Sequence, residues 1–408
     1  MSHAKSTLFS LTTSRLLYIL LLIATPFLLL QNYLQSALGQ LSDYTYKIGN
    51  IDMPITLTVA IAIVLVTLYF TLKKINYFRF ISWLIIILLF WIGQKTTDFY
   101  FNHKFYELQY NWHYFAYSIF AFINYRWLKA KNRPDYRIIL LTFISALEIS
   151  TLDELIQMPL SNRIFDLGDV SKDLWGTMIG LFFIYFVLEN GKIIKTKWNV
   201  RQKIIKDYFK SPVSLFMFLF VLSYIFMFVS SILTDTDYIL QSIIFTLIIF
   251  SFIAFAVHIS QFKKLGYILI SLIFIFFFSL GFSIIKNFNK DITYSHGNIL
   301  VYKGIPIVYF DVLIYPNGLF RLVDKKTTFN LRDQQTILAK SENIIIVSSG
   351  KNGEGAHGFT SRENVHFVFD KNKMKGIQII PQKNEMAVST FNRLKTEGKR
   401  PLLIYHNN

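Results

Sequence analysis

Apolar segments of roughly 20 residues, each about long enough to cross a 30 Å hydrocarbon core, recur along this chain and dominate what it can fold into. Nine such segments are read, at about 15–35, 54–72, 78–96, 110–128, 136–157, 169–189, 213–233, 237–258 and 265–285. With 53% hydrophobic residues, 41 Phe and 23 Tyr, the chain carries more apolar surface than a soluble core consumes, so much of it is expected to meet lipid. The fold class expected is a polytopic α-helical membrane protein of about nine transmembrane helices, followed by a small soluble α/β domain. Ser36, Ala37 and Gly39 follow the first segment as in a signal peptide, but its apolar stretch is longer than a signal core. An uncleaved first span is the preferred reading.

The formal net charge of +17 is distributed in blocks between the apolar segments. Lys73, Lys74 and Arg79 flank the second link, and Arg126, Lys129, Lys131, Arg133 and Arg137 the fourth. The sixth holds Lys192, Lys195, Lys197, Arg201, Lys203, Lys206 and Lys210 against Asp207. Lys263 and Lys264 mark the eighth. Odd-numbered links are balanced or acidic, so the N-terminus and even-numbered links are expected in the cytoplasm of a multi-pass cell-membrane protein. Nine spans would then leave the C-terminal domain outside. No zinc finger, zipper or RNA-binding aromatic motif accompanies the basic blocks, which excludes nucleic acid as the expected partner. Zero Cys removes disulfides, thiolate metal sites and Cys nucleophiles.

The stretch from Asp153 to Asp169 sets ionisable groups at the junction of two apolar segments, where charge is costly unless paired or wet. If 144–157 is helical, Glu154 and Gln157 share a face, and Pro159 ends or kinks the helix. Arg163 in the following loop can turn to Glu154, Asp166 or Asp169, and either Asp169 or Asp173 is expected to cap the next helix. His113, near the start of the fourth segment, is the remaining candidate for this cluster. Gly176 and Gly180 form a small-xxx-small ridge for close helix packing. A carboxylate beside an imidazole suits proton transfer, and Arg suits phosphate. The assigned roles are catalytic for His113, Glu154 and Asp169, and ligand-binding for Gln157, Arg163, Asp166 and Asp173. The competing reading is that these charges satisfy one another and staple two spans together. No HExxH or similarly tight ligand spacing occurs, so neither a metal nor another cofactor is expected.

Residues 109–190 resemble the VanZ-like family of bacterial membrane proteins. The likeness rests on His113-Tyr-Phe-Ala-Tyr117, Asp153-Glu154-x-x-Gln157, Arg163-x-x-Asp166-x-x-Asp169 and Gly176-x-x-x-Gly180. It implies an envelope protein of unassigned activity, whose founding member is associated with resistance to the glycopeptide teicoplanin. The chain departs from the pattern at Gln109-Tyr110, Asn162 and Asp173.

From about 287 the composition changes to short strands at 298–302, 305–315, 343–348 and 377–380, a helix over 384–397 and a last strand from Pro401 to Tyr405. The Gly-rich stretch Ser348–Gly358 reads chiefly as a turn, and alternatively as an anion cradle with Lys351, His357 and Arg362. Residues 296–406 resemble the Mth938-like domain family, through Gly297–Gly304, Asp311–Gly318 and Ala387–His406. That likeness implies a three-layer α/β fold of poorly defined function.

The domains expected are 1–108 and 213–286 as transmembrane flanks, 109–190 as the VanZ-like part, 191–212 as a basic linker and 287–408 as the soluble domain. The function expected is binding or modification of an anionic amphiphile, a membrane lipid or a lipid-linked cell-wall precursor. The alternatives are an assembly protein whose C-terminal domain docks a protein partner, and a transporter.

Overall fold

The computed structural model describes residues 2–29, 40–41, 44–49, 51–59, 61–62, 65, 76–97, 108–159, 165–196, 204, 207, 211–230, 239–286, 290–296, 299–308, 310–323, 329, 334, 337–338, 340–353, 355, 366–370 and 374–407. The chain divides into two compact units. The first is helical: α1 (Ser2–Leu29), α2 (Tyr77–Thr97), α3 (Leu108–Ala130), α4 (Asp135–Gln157), α5 (Leu167–Phe182), α6 (Pro212–Ser230) and α7 (Ile239–Ile259), with a small hairpin of β1 (Thr45–Ile48) and β2 (Ile51–Pro54).

Helix α5 is the axis of this unit and packs against α2, α3, α4 and α6. Its start is set locally. Asp166 lies in extended backbone and its carboxylate accepts from Gly168 N–H at 2.7 Å, with Asp169 in the first turn beside the positive helix end. The cap is therefore Asp166, not Asp169 or Asp173, and Asp173 is a buried interior position. Beyond Phe182 the helix relaxes into a π-helical turn over Phe183–Leu188 and stops at Asn190 and Gly191, both left-handed. A side chain at Gly191 would also strike the Phe78 ring at 2.6 Å. Toward α3 the close approach depends on glycine. A Cβ on Gly176 would lie 2.8 Å from Tyr114 Cα, and one on Gly180 2.6 Å from the Ser118 carbonyl. Toward α2, Trp175 Nε1–H donates to the Leu89 carbonyl at 3.0 Å.

Among the described residues, four helices are long and apolar enough to cross a membrane: Tyr77–Thr97, Leu167–Leu188, Pro212–Ser230 and Lys263–Ser283. The expectation of nine spans is not supported. Helices do occupy the 110–128 and 136–157 segments, but α3 buries Asn111 and Asn124, and α4 carries Arg137, Glu148, Asp153 and Glu154. The described apolar parts of α1 and α7, Phe9–Thr25 and Phe250–Ile259, are shorter than a span. Most of the 54–72 segment lies outside the described residues.

The second unit joins α8 (Lys263–Lys286) to a β-rich region. A three-stranded antiparallel sheet runs β3 (Ile292–His296), β4 (Ile299–Tyr302), β5 (Ile305–Val308). A six-stranded mixed sheet has the order β7 (Phe320–Val323), β6 (Asp311–Ile314), β11 (Leu402–Tyr405), β8 (Ile344–Ser348), β10 (Lys375–Gln382), β9 (His366–Asp370). The segment expected as one strand over 305–315 is two strands in two sheets, because Phe310 N–H folds back onto the Val308 carbonyl at 3.0 Å. Strands β10 and β11 both run parallel to β8, one on each side, so the connection between them crosses over β8. That connection is α9 (Asn384–Thr396), whose Ala387, Phe391 and Leu394 enter a core with Ile346, Leu403 and Tyr405. Asn392 fastens α9 to β3 by accepting from Ile292 N–H at 3.0 Å and donating to its carbonyl at 2.8 Å.

Candidate functional site

At one end of the helical unit, the start of α3, the end of α4 and the start of α5 bring polar side chains together. His113 Nδ1 lies 2.9 Å from Asp173 Oδ1, and Ser150 Oγ–H donates to the other oxygen of that carboxylate at 2.6 Å. Three helices thus converge on one carboxylate that is 2% exposed. The Tyr117 ring lies beside the same pair, with its hydroxyl buried. A hydrogen bond on Nδ1 fixes the imidazole plane and leaves Nε2 as the working edge. That edge is directed toward Asp169, whose Oδ1 is 3.7 Å away and also 3.1 Å from Lys172 Nζ. His113 and Asp169 are each about a quarter exposed, at 24% and 26%, whereas Asp173 is buried.

Glu154 sits apart from this dyad in function. Its Oε2 accepts the Asp166 backbone N–H at 2.8 Å, and Gln157 Nε2–H reaches Oε1 at 3.4 Å. The carboxylate therefore closes the turn between α4 and α5. That geometry corresponds to the stapling role, and no described group places Glu154 against His113. Gln157 supports the same turn, and Asp166 caps α5. Arg163, expected to meet Glu154, lies outside the described residues. Gly176 and Gly180 seat α5 on α3, which sets the separation of His113 from Asp173. Among the described residues, no group of three or more His, Asp or Glu is placed to hold a metal ion.

Ser150 and Lys172 are the residues that sequence reasoning missed. Ser150 precedes Glu154 by four and Gln157 by seven, so a polar stripe on one face of α4 was the available signal. Lys172 carried no signal beyond its adjacency to Asp173.

The second unit holds another buried polar cluster. His406 Nδ1 is 2.5 Å from Asp311 Oδ2, both side chains being 2% exposed. Asp311 Oδ1 accepts from Asn407 N–H at 2.8 Å. Ser348 Oγ–H donates to Asn384 Oδ1, and Asn384 Nδ2–H donates to the His406 carbonyl at 2.9 Å. These groups lie just past the C-terminal ends of the parallel strands β8 and β11, a position where open sheets often bind ligands. Here the Gly-rich turn covers it, with Gly355 so close to His406 that a Cβ would lie 2.8 Å from its ring. The amides of Ser349, Gly353 and Gly355 donate to protein carbonyls, so they are not aimed at an anion. His357 and Arg362 lie outside the described residues. Burial raises the Tyr302 phenol above its ordinary range, helped by the charge of Asp291. Burial likewise raises Tyr405, against the opposing hydrogen bonds of Ser295 and Asn384.

No family model matches the chain, and no curated protein does. Among solved structures, one of a protein designated MT938 is similar at 18% identity, covering 29% of this chain and 96% of that chain, with a TM-score of 0.21. That likeness is weak and assigns no residue. The VanZ-like resemblance finds no support in these comparisons and rests on its motif residues alone.

Proposed function

We propose that this is a membrane protein whose His113 end receives the polar headgroup of an anionic amphiphile, a lipid or a lipid-linked precursor, with His113 exchanging a proton there. The observation carrying this reading is the asymmetry of the imidazole: Nδ1 is held at 2.9 Å by a buried carboxylate, while Nε2 faces the partly exposed Asp169 at 3.7 Å, whose carboxylate also meets Lys172 at 3.1 Å. A carboxylate behind the ring stabilises the imidazolium, and the front edge, facing Asp169 at 3.7 Å, can exchange a proton with that carboxylate or with a group bound beside it. His113 and Lys172 would supply cationic contacts for a phosphate that displaces the Asp169 carboxylate now beside both, and Arg163 is proposed as the third. Binding of a polyprenyl phosphate to the purified full-length protein tests this. His113→Gln and Arg163→Ala are expected to weaken it about tenfold each, within the range for lost charged hydrogen bonds. Unchanged affinity in both variants would remove the proposal.

A second reading, docking of a protein partner by the C-terminal domain, is favoured by the edge of the six-stranded sheet. Phe367 and Phe369 on the edge strand β9 are 75% and 58% exposed, and Met374 at the following turn is 75% exposed. An exposed apolar edge strand is a template for strand addition. Co-purification that survives Phe367→Lys and Phe369→Lys would exclude this edge.

A further inference from the structure

The opposite end of the helical unit carries a different constellation, which the charge pattern alone presents only as a basic loop. Trp127 lies 14 positions after His113 on α3, about 21 Å along the helix at 1.5 Å per residue. The indole is tied to α1 by its Nε1–H, which donates to Thr12 Oγ1 at 3.0 Å. Two cations then lie over the same ring: the Arg15 guanidinium at 4.3 Å from its centroid and Lys131 Nζ at 3.6 Å. Arg15 is itself oriented, its Nε–H donating at 2.7 Å to Asn124 Oδ1, and Asn124 is fixed in turn by donating to Thr142 Oγ1 at 3.1 Å.

Between these groups is a cleft of about 230 Å3, lined by Arg15, Asn124, Trp127, Lys131, Arg133 and Ser145 among others, and by no carboxylate. This equals several water volumes at about 30 Å3 each, enough for a small anionic headgroup. Bringing two like charges onto one indole beside a third cation is unfavourable without an anion, and the attraction of each cation for the ring offsets only part of it. Arg133 and Leu141 are shared with a neighbouring, larger groove formed with Tyr136, Arg137 and Leu140. The cations therefore adjoin Leu140 and Leu141, a lining that suits a molecule with a phosphate at one end and hydrocarbon at the other.

We propose that Arg15, Lys131 and Arg133, framed by Trp127, bind the phosphate of an anionic phospholipid between α1, α3 and α4. Clusters of Lys and Arg adjoining membrane-spanning segments commonly attract such headgroups. A free phosphate shares the charged contacts but has nothing to place against Leu140 and Leu141, so the lipid is the assigned source. This site is independent of the His113 cluster, and its failure would leave the reading of that cluster standing.

The test is lipid binding to the delipidated full-length protein, followed by native mass spectrometry with phosphatidylglycerol, phosphatidylcholine and inorganic phosphate as separate probes. Phosphatidylglycerol is expected to bind at least about tenfold more tightly than phosphatidylcholine, as interfacial Lys and Arg attraction implies. The double variant Lys131→Gln, Arg133→Gln, both exposed positions, is expected to abolish that preference without changing the melting temperature. If the double variant fails to fold, Arg133→Gln alone gives the same reading with a smaller loss. Equal affinity for the two lipids, a preference that persists in the folded variants, or inorganic phosphate competing as well as the lipid would each overturn the proposal.

Discussion

His113 on α3 and Asp173 on α5 meet at 2.9 Å between Nδ1 and Oδ1, and Ser150 of α4 donates to the second oxygen of the same carboxylate. One buried acid therefore ties three helices and orients the imidazole. Removing it leaves the quarter-exposed His113 and the buried Ser150 hydroxyl without their shared acceptor. Asp173→Ala is expected to destabilise the helical unit by about 1–3 kcal/mol, the cost of leaving the buried Ser150 hydroxyl without its acceptor. Asp173→Asn, which keeps the shape and one acceptor, should cost less. Chemical unfolding in detergent measures both, and equal stability of Asp173→Ala and wild type would contradict this account of the cluster.

Gly176 and Gly180 give a second prediction. The atoms a new Cβ would meet are backbone atoms of Tyr114 and Ser118, which cannot swing aside. Gly176→Ala and Gly180→Ala should each cost about 1–3 kcal/mol, the typical range for overpacking. Gly281 on α8 has nothing within 4 Å of the added atom. Gly281→Ala is therefore expected to be neutral or to gain up to about 1 kcal/mol from helix propensity. Thermal melting of the three variants side by side reads the contrast.

The buried His406–Asp311 pair in the β-rich unit predicts a similarly asymmetric response. His406→Ala strands the Asp311 carboxylate at 2% exposure, with Asn407 N–H as a remaining donor. A loss of about 3–5 kcal/mol is expected. Replacing both, by His406→Ala with Asp311→Ala, should recover part of it. A double-mutant cycle on the unfolding transition checks this, and simple additivity would show that the two groups do not depend on each other.

At alkaline pH the same unit should weaken. Tyr302 and Tyr405 are both held above their ordinary value of 10.0, chiefly by burial. A group with a raised folded-state pKa contributes stability that is complete below its unfolded value and is lost as pH rises toward the folded one. Stability is therefore expected to be flat up to about pH 10 and to fall above it, as tyrosines ionise first in the unfolded chain. Tyr302→Phe should make the decline shallower. Unfolding followed by tyrosinate absorbance across that range supplies the measurement.

Periodicity and spacing carried much of this architecture, because hydrophobic length and glycine spacing are local properties. The helix expected over 384–397 spans Asn384–Thr396, and the one expected over 136–157 spans Asp135–Gln157. What spacing could not supply was the partner of each charge. Glu154 accepts the Asp166 backbone N–H at 2.8 Å, a contact that no side-chain spacing announces, while Arg163, its expected partner, lies outside the described residues. His113 and Asp173 are 60 positions apart, and their meeting depends on α3 lying against Gly176 and Gly180. Span number failed for a related reason. A helix with an apolar sequence on average, such as α4, can hold its polar stripe against neighbours, so length alone did not reveal that Ser150, Glu154 and Gln157 are inward. The His406–Asp311 pair joins the start of β6 to the residue after β11, a long-range contact with no local signature.

Photo-crosslinking of a diazirine-bearing polyprenyl phosphate to the full-length protein in nanodiscs tests the central claim most directly, since it reports where the headgroup sits. The account predicts labelled peptides from the starts of α3 and α5 and the turn between α4 and α5, with labelling suppressed by His113→Gln in a variant that melts like wild type. Labelling spread evenly over the lipid-facing helices, unchanged by that substitution, would contradict it.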